Sequence, residues 1–382
     1  MGEPKNGFEY LKRRHEQEAE KSVRFDGFKR YLEVKARERG IPVTGQFELT
    51  PLCNFDCKMC YVHLQKDQLK TQTVLTAEQW KQLIRQAWKM GMIRATLTGG
   101  ECLAYPGFRE IYLYLHSLGC EVVVLTNGFL IDDEWVSFFR EHPPAQIRIT
   151  LYGYDDDTYE KVTGRRCFER IRTNILKLQD AGMPLTISVT PNRYLGEGIF
   201  ETIRTAKKLS KSVLISNTLF APRKETGRDE EDHRISDEDY LRMYTLMNRL
   251  DGKETIRIPK EELPPVGGPS HECSECGVEC GAGRSSFNID WKGTMHPCTR
   301  FYALEAFPVR DGFEKAWRSL NKEANSWPRV AECEGCAYAS TCLRCPANML
   351  EYEKPGVQPV KMCERMKYFV ENGVWQIPEC DD

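Results

Sequence analysis

The sequence predicts an α/β protein in which a parallel sheet covered by helices is followed by a cysteine-rich C-terminal segment. Three observations predict it. Between residues 46 and 252 the hydrophobic period switches repeatedly between strand-like and helix-like. Turn residues close each unit, and most of the cysteines fall into two blocks on either side of that region's bulk. A chain of 382 residues accommodates a barrel-sized domain plus a smaller one, and its 41% hydrophobic content supports a sizeable core.

"FELTP" reads as the first short strand. "LTAEQWKQLIRQAWKMG" follows with a capping box, Thr76 with Gln79, and apolar residues at 80, 83, 84, 87 and 88 on one helical face, before Gly91 stops it. "RATLTGGE" is the next strand, and "YPGFREIYLYLHSLG" a helix with Pro near its start and Gly just past its end. "EVVVLTNG", "QIRITLYG", "PLTISVTPN" and "SVLISNTLF" repeat the pattern as strands, each with a helical stretch behind it, the last being "SDEDYLRMYTLMNRL". Such alternation implies parallel strands joined by right-handed crossovers, as an open doubly wound sheet or a barrel. Either places functional groups at the C-terminal ends of the strands. The run "CNFDCKMC", "TGGE", "LTNG", "TLYG" and "TPN" all fall there. Turn chemistry accounts for any one of these glycines; five polar or metal-binding stretches on one rim ask for more.

A formal net charge of -2 gives no reason to expect nucleic acid or an anionic membrane as partner. The N-terminus lacks an apolar export region and no apolar run approaches a bilayer span, so the expected location is cytoplasmic. There the sixteen cysteines are expected as thiolates available to metal. Cys102, Cys120 and Cys167 are scattered and read as small core residues. Cys53, Cys57 and Cys60 share one loop after the first strand. Four thiolates close a 4Fe-4S cubane, so three leave one iron open to bind and activate a ligand, unless His63 or a distant cysteine completes a zinc site.

The C-x3-C-x2-C run after the first strand of a six-unit strand-helix region resembles the radical S-adenosylmethionine (SAM) enzymes. The resemblance implies a partial (β/α)6 TIM-like barrel over residues 46–252, behind a charged helical segment at 1–45. It implies a 4Fe-4S cluster on Cys53, Cys57 and Cys60 whose open iron chelates SAM, and reductive cleavage of SAM to a 5'-deoxyadenosyl radical. Carried over by position, Thr98, Gly99, Gly100 and Glu101 become contacts of the methionyl ammonium group. Thr150 becomes a ribose contact, Asn127 and Asn192 further cofactor contacts, and Tyr61 a neighbour of the adenine.

Past residue 252, Pro, Gly and charge replace periodic helices, and cysteines crowd in. Cys280 is followed by twelve residues, Gly293, four residues and Cys298; then come Cys333, Cys336, Cys342, Cys345 and Cys363. Spacing alone leaves paired zinc knuckles open. The segment 253–382 is similar to the SPASM extension of radical SAM enzymes, except that two residues rather than three separate Cys342 from Cys345. That resemblance implies two auxiliary 4Fe-4S clusters. One takes Cys333, Cys336, Cys342 and Cys363; the other takes Cys280, Cys298 and Cys345, with Cys273 or Cys276 as fourth ligand or an iron left open. It also implies a precursor peptide as substrate, oxidised or crosslinked, and an electron donor such as ferredoxin or flavodoxin. Thr299 and Arg300 follow Cys298 where sulfatase-maturating relatives carry an Asp base, which argues against that reaction. The N-terminal segment is too short for a leader-binding winged helix and reads as a solvated helix packed across the barrel, and "KETGRDEEDHR" reads as a solvated loop. The alternatives are a radical SAM dehydrogenase or epimerase of a small molecule and, outside enzymes, an electron carrier or zinc-binding module.

Overall fold

Alternation between a buried and an open face is strict in two of the expected strands, Glu121–Thr126 and Gln146–Leu151. In the strand Gln146–Leu151 the residues Ile147, Ile149 and Leu151 are fully buried, whereas Gln146, Arg148 and Thr150 face the other way and stay partly accessible. The computed structural model describes residues 31–374 apart from 71, 217–218, 220–221, 224–225, 228–232, 254–260, 262, 264–276, 340–341 and 343. Cys273, Cys276, residues 1–30 and most of "KETGRDEEDHR" therefore lie outside the described residues.

In chain order the strands are β1 (Thr44–Glu48), β2 (Arg94–Thr98), β3 (Glu121–Thr126), β4 (Gln146–Leu151), β5 (Leu185–Val189) and β6 (Val213–Ile215). All five neighbouring pairs are parallel. The crossovers are helices α1 (Ala77–Lys89), α2 (Phe108–Ser117), α3 (Asp133–Glu141), α4 (Asp156–Thr163) with α5 (Phe168–Asp180), and α6 (Gly198–Leu209); α7 (Asp237–Leu250) follows β6. The expected capping box is present: Thr76 Oγ1 accepts from the Gln79 amide at 3.3 Å and Gln79 Oε1 accepts from the Thr76 amide at 2.9 Å. Gly91, which ends α1, has φ of 108°, a value that favours glycine. Among the described residues no helix is long and apolar enough to cross a membrane.

Two findings differ from the expectation. The first strand runs over 44–48 rather than 47–51, because Thr44 to Glu48 pair residue by residue with Arg94 to Thr98, while Thr50 and Pro51 have turned into the cysteine loop. The sheet also does not stop at the expected boundary near residue 252. β7 (Ser286–Ile289) pairs in parallel with β1, and β8 (Met295–His296) pairs antiparallel with β7, giving the order β6-β5-β4-β3-β2-β1-β7-β8. Apolar packing closes this join. Phe47 meets Trp80 of α1 at 5.9 Å between ring centroids and Phe287 of β7 at 5.8 Å, and all three side chains are buried. Burial of a ring of this size contributes about 1.5–3 kcal/mol. Helix α8 (Phe313–Asn325) lays Phe313 and Trp317 against Phe287, and α9 (Val360–Glu371) closes the described chain.

Candidate metal and cofactor site

The loop carrying Cys53, Cys57 and Cys60 leaves the C-terminal end of β1 and is pinned by main-chain bonds. The Asp56 and Lys58 amides donate to the Thr163 and Val162 carbonyls at 3.1 and 3.0 Å, so the last turn of α4 caps the loop with its otherwise unused carbonyls. Gly100 and Glu101 hold the loop's start from the other side, their amides donating to Thr50 and Leu52 carbonyls at 2.7 and 2.9 Å. Backbone approaches so closely here that a β-carbon on Gly100 would stand 2.3 Å from the Leu52 oxygen. Glycine at this position is a packing requirement.

The three cysteines border a cavity of about 210 Å³ at the open end of the sheet. Thr98, Gly99, Gly100, Asn127, Thr150 and Tyr61, all named from the sequence, line it with them. Glu101 and Asn192 are not in this lining. The Glu101 carboxylate is fully buried and accepts from Thr126 Oγ1 and the Asn127 amide, both at 2.8 Å, and from the Leu103 amide at 3.0 Å. It thereby ties the ends of β2 and β3 together. Asn192, also buried, spends its side chain on the Thr190 carbonyl and the Tyr194 amide, holding the turn after β5. The lining also includes residues not singled out from the sequence, among them Met59, Tyr152, Thr190 and Ser216. Thr190 and Ser216 immediately follow β5 and β6, so their position at the strand ends was the available signal.

Electrostatics ask for positive charge at this loop. Burial, then the nearby Glu101 carboxylate, push the Cys53 thiol up to about 12, against the opposing amide of Phe55 and the amide side chain of Asn127. Asn127 Nδ2 donates to Cys53 Sγ at 3.7 Å, and the His63 amide donates to Cys60 Sγ at 3.3 Å. Thiolates in such a pocket need cationic partners, which iron supplies. Cysteine thiolates are the donors that iron-sulfur centres take, and three of them border one cavity, so the donor set fits such a centre.

In the C-terminal segment the structure sorts the cysteines into two groups. Burial first, then the proximity of Cys363, Cys342 and Cys336, pushes the Cys333 thiol up to about 12. Burial, followed by Cys345 and Cys280, raises Cys298 to about 11, and Cys280 itself is raised by burial and by Cys345. Cys333, Cys336, Cys342 and Cys363 thus neighbour one another, as do Cys280, Cys298 and Cys345. The short Cys342–Cys345 spacer still separates the groups. Arg344 within it takes a left-handed φ of 41°, uncommon for a side-chain-bearing residue, and its guanidinium pairs with Glu279 at 2.7 Å.

Comparison with known proteins places this geometry in a family. Residues 47–206 match the family model described as the radical SAM superfamily. The chain carries a radical SAM domain. Over 297 residues the radical SAM chain is 24% identical to the sporulation killing factor maturation protein SkfB of Bacillus subtilis, covering 78% of this chain and 68% of SkfB. It is 25% identical to an AdoMet-dependent heme synthase of Methanosarcina barkeri, over 79% of this chain and 90% of that one. Streptococcus suis SuiB, in its crystal structure bound to precursor peptide SuiA, superposes with a TM-score of 0.65 at 16% identity, over 87% of this chain and 79% of SuiB. The fold of this chain is therefore shared with SuiB, including the C-terminal region beyond the family match.

Proposed function

We propose that the chain oxidatively modifies a ribosomally made peptide, by crosslinking or dehydrogenation. The observation that carries this reading is the arrangement of cysteines: a three-cysteine loop opening on a cavity of mixed polar and apolar lining, backed by a C-terminal segment whose remaining cysteines stand in two groups. SkfB is a sporulation killing factor maturation protein and SuiB has been crystallised with its precursor peptide SuiA, which favours a peptide over other substrates.

In this reading residues 46–252 form the catalytic barrel and 253–382 the auxiliary domain. A 4Fe-4S cluster held by Cys53, Cys57 and Cys60, with SAM, supplies hydrogen-abstracting radical chemistry when bound. Thr98, Gly99, Gly100, Asn127, Thr150 and Tyr61 border the SAM site. Gly99 and Gly100 let main chain approach the ligand, and Glu101 keeps Asn127 aimed at the cavity by accepting from its amide. Asn192 shapes the rim after β5. Cys333, Cys336, Cys342 and Cys363 hold one auxiliary 4Fe-4S cluster. Cys280, Cys298 and Cys345 hold the other, with Cys273 or Cys276 available as a fourth ligand. A two-electron oxidation needs an acceptor for its second electron, and these centres, when loaded, would serve as one. A cytoplasmic carrier such as ferredoxin or flavodoxin would supply the reducing electron.

The test is mass spectrometry of a short peptide encoded beside the gene, after anaerobic co-expression with the protein. Loss of two hydrogens, absent with Cys57→Ala, is the expected result. An unchanged mass would overturn the peptide oxidation and favour the second reading, a dehydrogenase or epimerase of a small molecule, to which the similarity with the heme synthase points.

A further inference from the structure

Arg223 lies on the chain after β6, far from any cysteine in sequence, yet its side chain is only 8% exposed and that of its partner Glu48 1%. Glu48 is the last residue of β1. Arg223 Nη2 donates to both Glu48 carboxylate oxygens at 2.7 Å. Three aromatic rings surround the guanidinium: Tyr61 at 5.3 Å, Trp291 at 4.9 Å and Tyr302 at 4.4 Å from its central carbon to the ring centroid. Tyr61 directly follows Cys60, Trp291 lies just beyond β7, and Tyr302 lies on the segment that begins at Cys298. The Arg223 amide also donates to the Tyr61 carbonyl at 3.1 Å, and Tyr302 Oη donates to Glu48 Oε1 at 3.5 Å.

One side chain thus touches the first strand, the loop of the first cysteine set and the segment of the second. Stability does not explain it well. A buried ion pair is costly to desolvate, and Nε and Nη1 of this guanidinium are buried with no hydrogen-bond partner among the described residues. What such a pair does supply is a defined geometry, since a planar guanidinium whose Nη2 donates to both oxygens of one carboxylate and which is flanked by three rings admits few other arrangements. The placement matters because electron exchange between two centres depends on their separation.

We propose that Arg223, paired with Glu48, is a positioning residue that locks the Cys53/Cys57/Cys60 loop to the C-terminal segment and so holds the first cysteine set at a fixed spacing from Cys298. The consequence for spacing between metal centres rests on the function proposed above; the lock itself does not.

The experiment compares the full chain with the double variant Glu48→Met/Arg223→Met, in which both charges leave together and the main-chain bond to Tyr61 remains. Replacing a buried pair by apolar groups of similar size is commonly tolerated, so this variant keeps the fold where a single one may not. Hydrogen exchange read by mass spectrometry should speed up about tenfold or more in residues 57–64 and 290–302, with α1 unchanged within about twofold. Arg223→Lys, which keeps the charge but not the planar guanidinium among the three rings, should fall between. In protein reconstituted with iron and sulfide, the magnetic coupling between reduced centres should broaden. Unmoved exchange in 57–64, or an equal rise throughout the protein, would overturn the lock, and unchanged magnetic coupling beside the expected exchange would overturn its consequence for spacing. If the wild-type chain bound no iron and sulfide yet showed the expected exchange pattern, the metal reading would fall and the lock would stand.

Discussion

Substituting Gly100 by alanine puts the cysteine loop's anchorage to a direct test. The added β-carbon would meet the Leu52 oxygen at 2.3 Å, the Leu52 carbonyl carbon at 2.7 Å and the Pro51 oxygen at 2.8 Å, all main-chain atoms without a rotamer to escape into. Reaching ordinary contact requires the loop to recede by about 1 Å. Overpacking of this kind costs about 1–3 kcal/mol. The bonds from Gly100 and Glu101 to Thr50 and Leu52 stretch with it, each contributing about 0.5–1.5 kcal/mol. The sum, about 2–6 kcal/mol, corresponds to a fall of roughly 5–20 °C in melting temperature. The assay is thermal unfolding of the metal-free protein together with iron and sulfide content after anaerobic reconstitution. Gly119→Ala is the control: Gly119 has φ of 72° and no atom within 4 Å of the new β-carbon. It should lose only the backbone preference, about 1–2 kcal/mol, and keep its iron. A Gly100→Ala protein that melts with the control and binds iron as the wild type does would refute the argument that main-chain packing at the "TGGE" turn places Cys53.

Alanine at Cys53, Cys57 or Cys60 should abolish deoxyadenosine formation and leave the auxiliary iron in place, whereas alanine at Cys298 or Cys336 should spare SAM cleavage and lose substrate oxidation; iron analysis and product assays on each variant check both halves. Glu101→Gln turns an acceptor of three hydrogen bonds into a group with one oxygen and two competing donors, and should cost about 1–3 kcal/mol in denaturant unfolding. Asp155 caps α4, and although burial opposes ionisation, bonds from the Thr158 amide and hydroxyl hold its carboxyl below the ordinary 3.8. Its contribution is therefore present above that value and lost as pH falls through the lower folded one. Metal-free Asp155→Asn, which keeps the cap but not the titration, should lose less stability than the wild type between about pH 4 and pH 3; equal slopes would contradict this.

Much of the barrel was legible because its determinants are local. The capping box at Thr76, the stop at Gly91 and the alternation in "QIRITL" each act within a few residues, and each forms as expected. The cavity lining was legible in part for the same reason: strand ends converge on one rim, so Thr98, Asn127 and Thr150 meet there with the cysteines. Glu101 and Asn192 sit at equivalent sequence positions yet turn inward. A carboxylate or amide next to unpaired main-chain donors satisfies them before it reaches a ligand, and only the fold reveals which donors those are.

By itself the sequence determined the order of strands and helices and the presence of three thiols on one loop, since both depend on neighbours along the chain. Tertiary structure alone decided that β7 pairs with β1, that Cys342 and Cys345 fall in different groups, and that Arg223 lies among Tyr61, Trp291 and Tyr302. These contacts join residues from distant parts of the chain. No period or spacing encodes them, because their free energy arises only when packing has already brought the segments together.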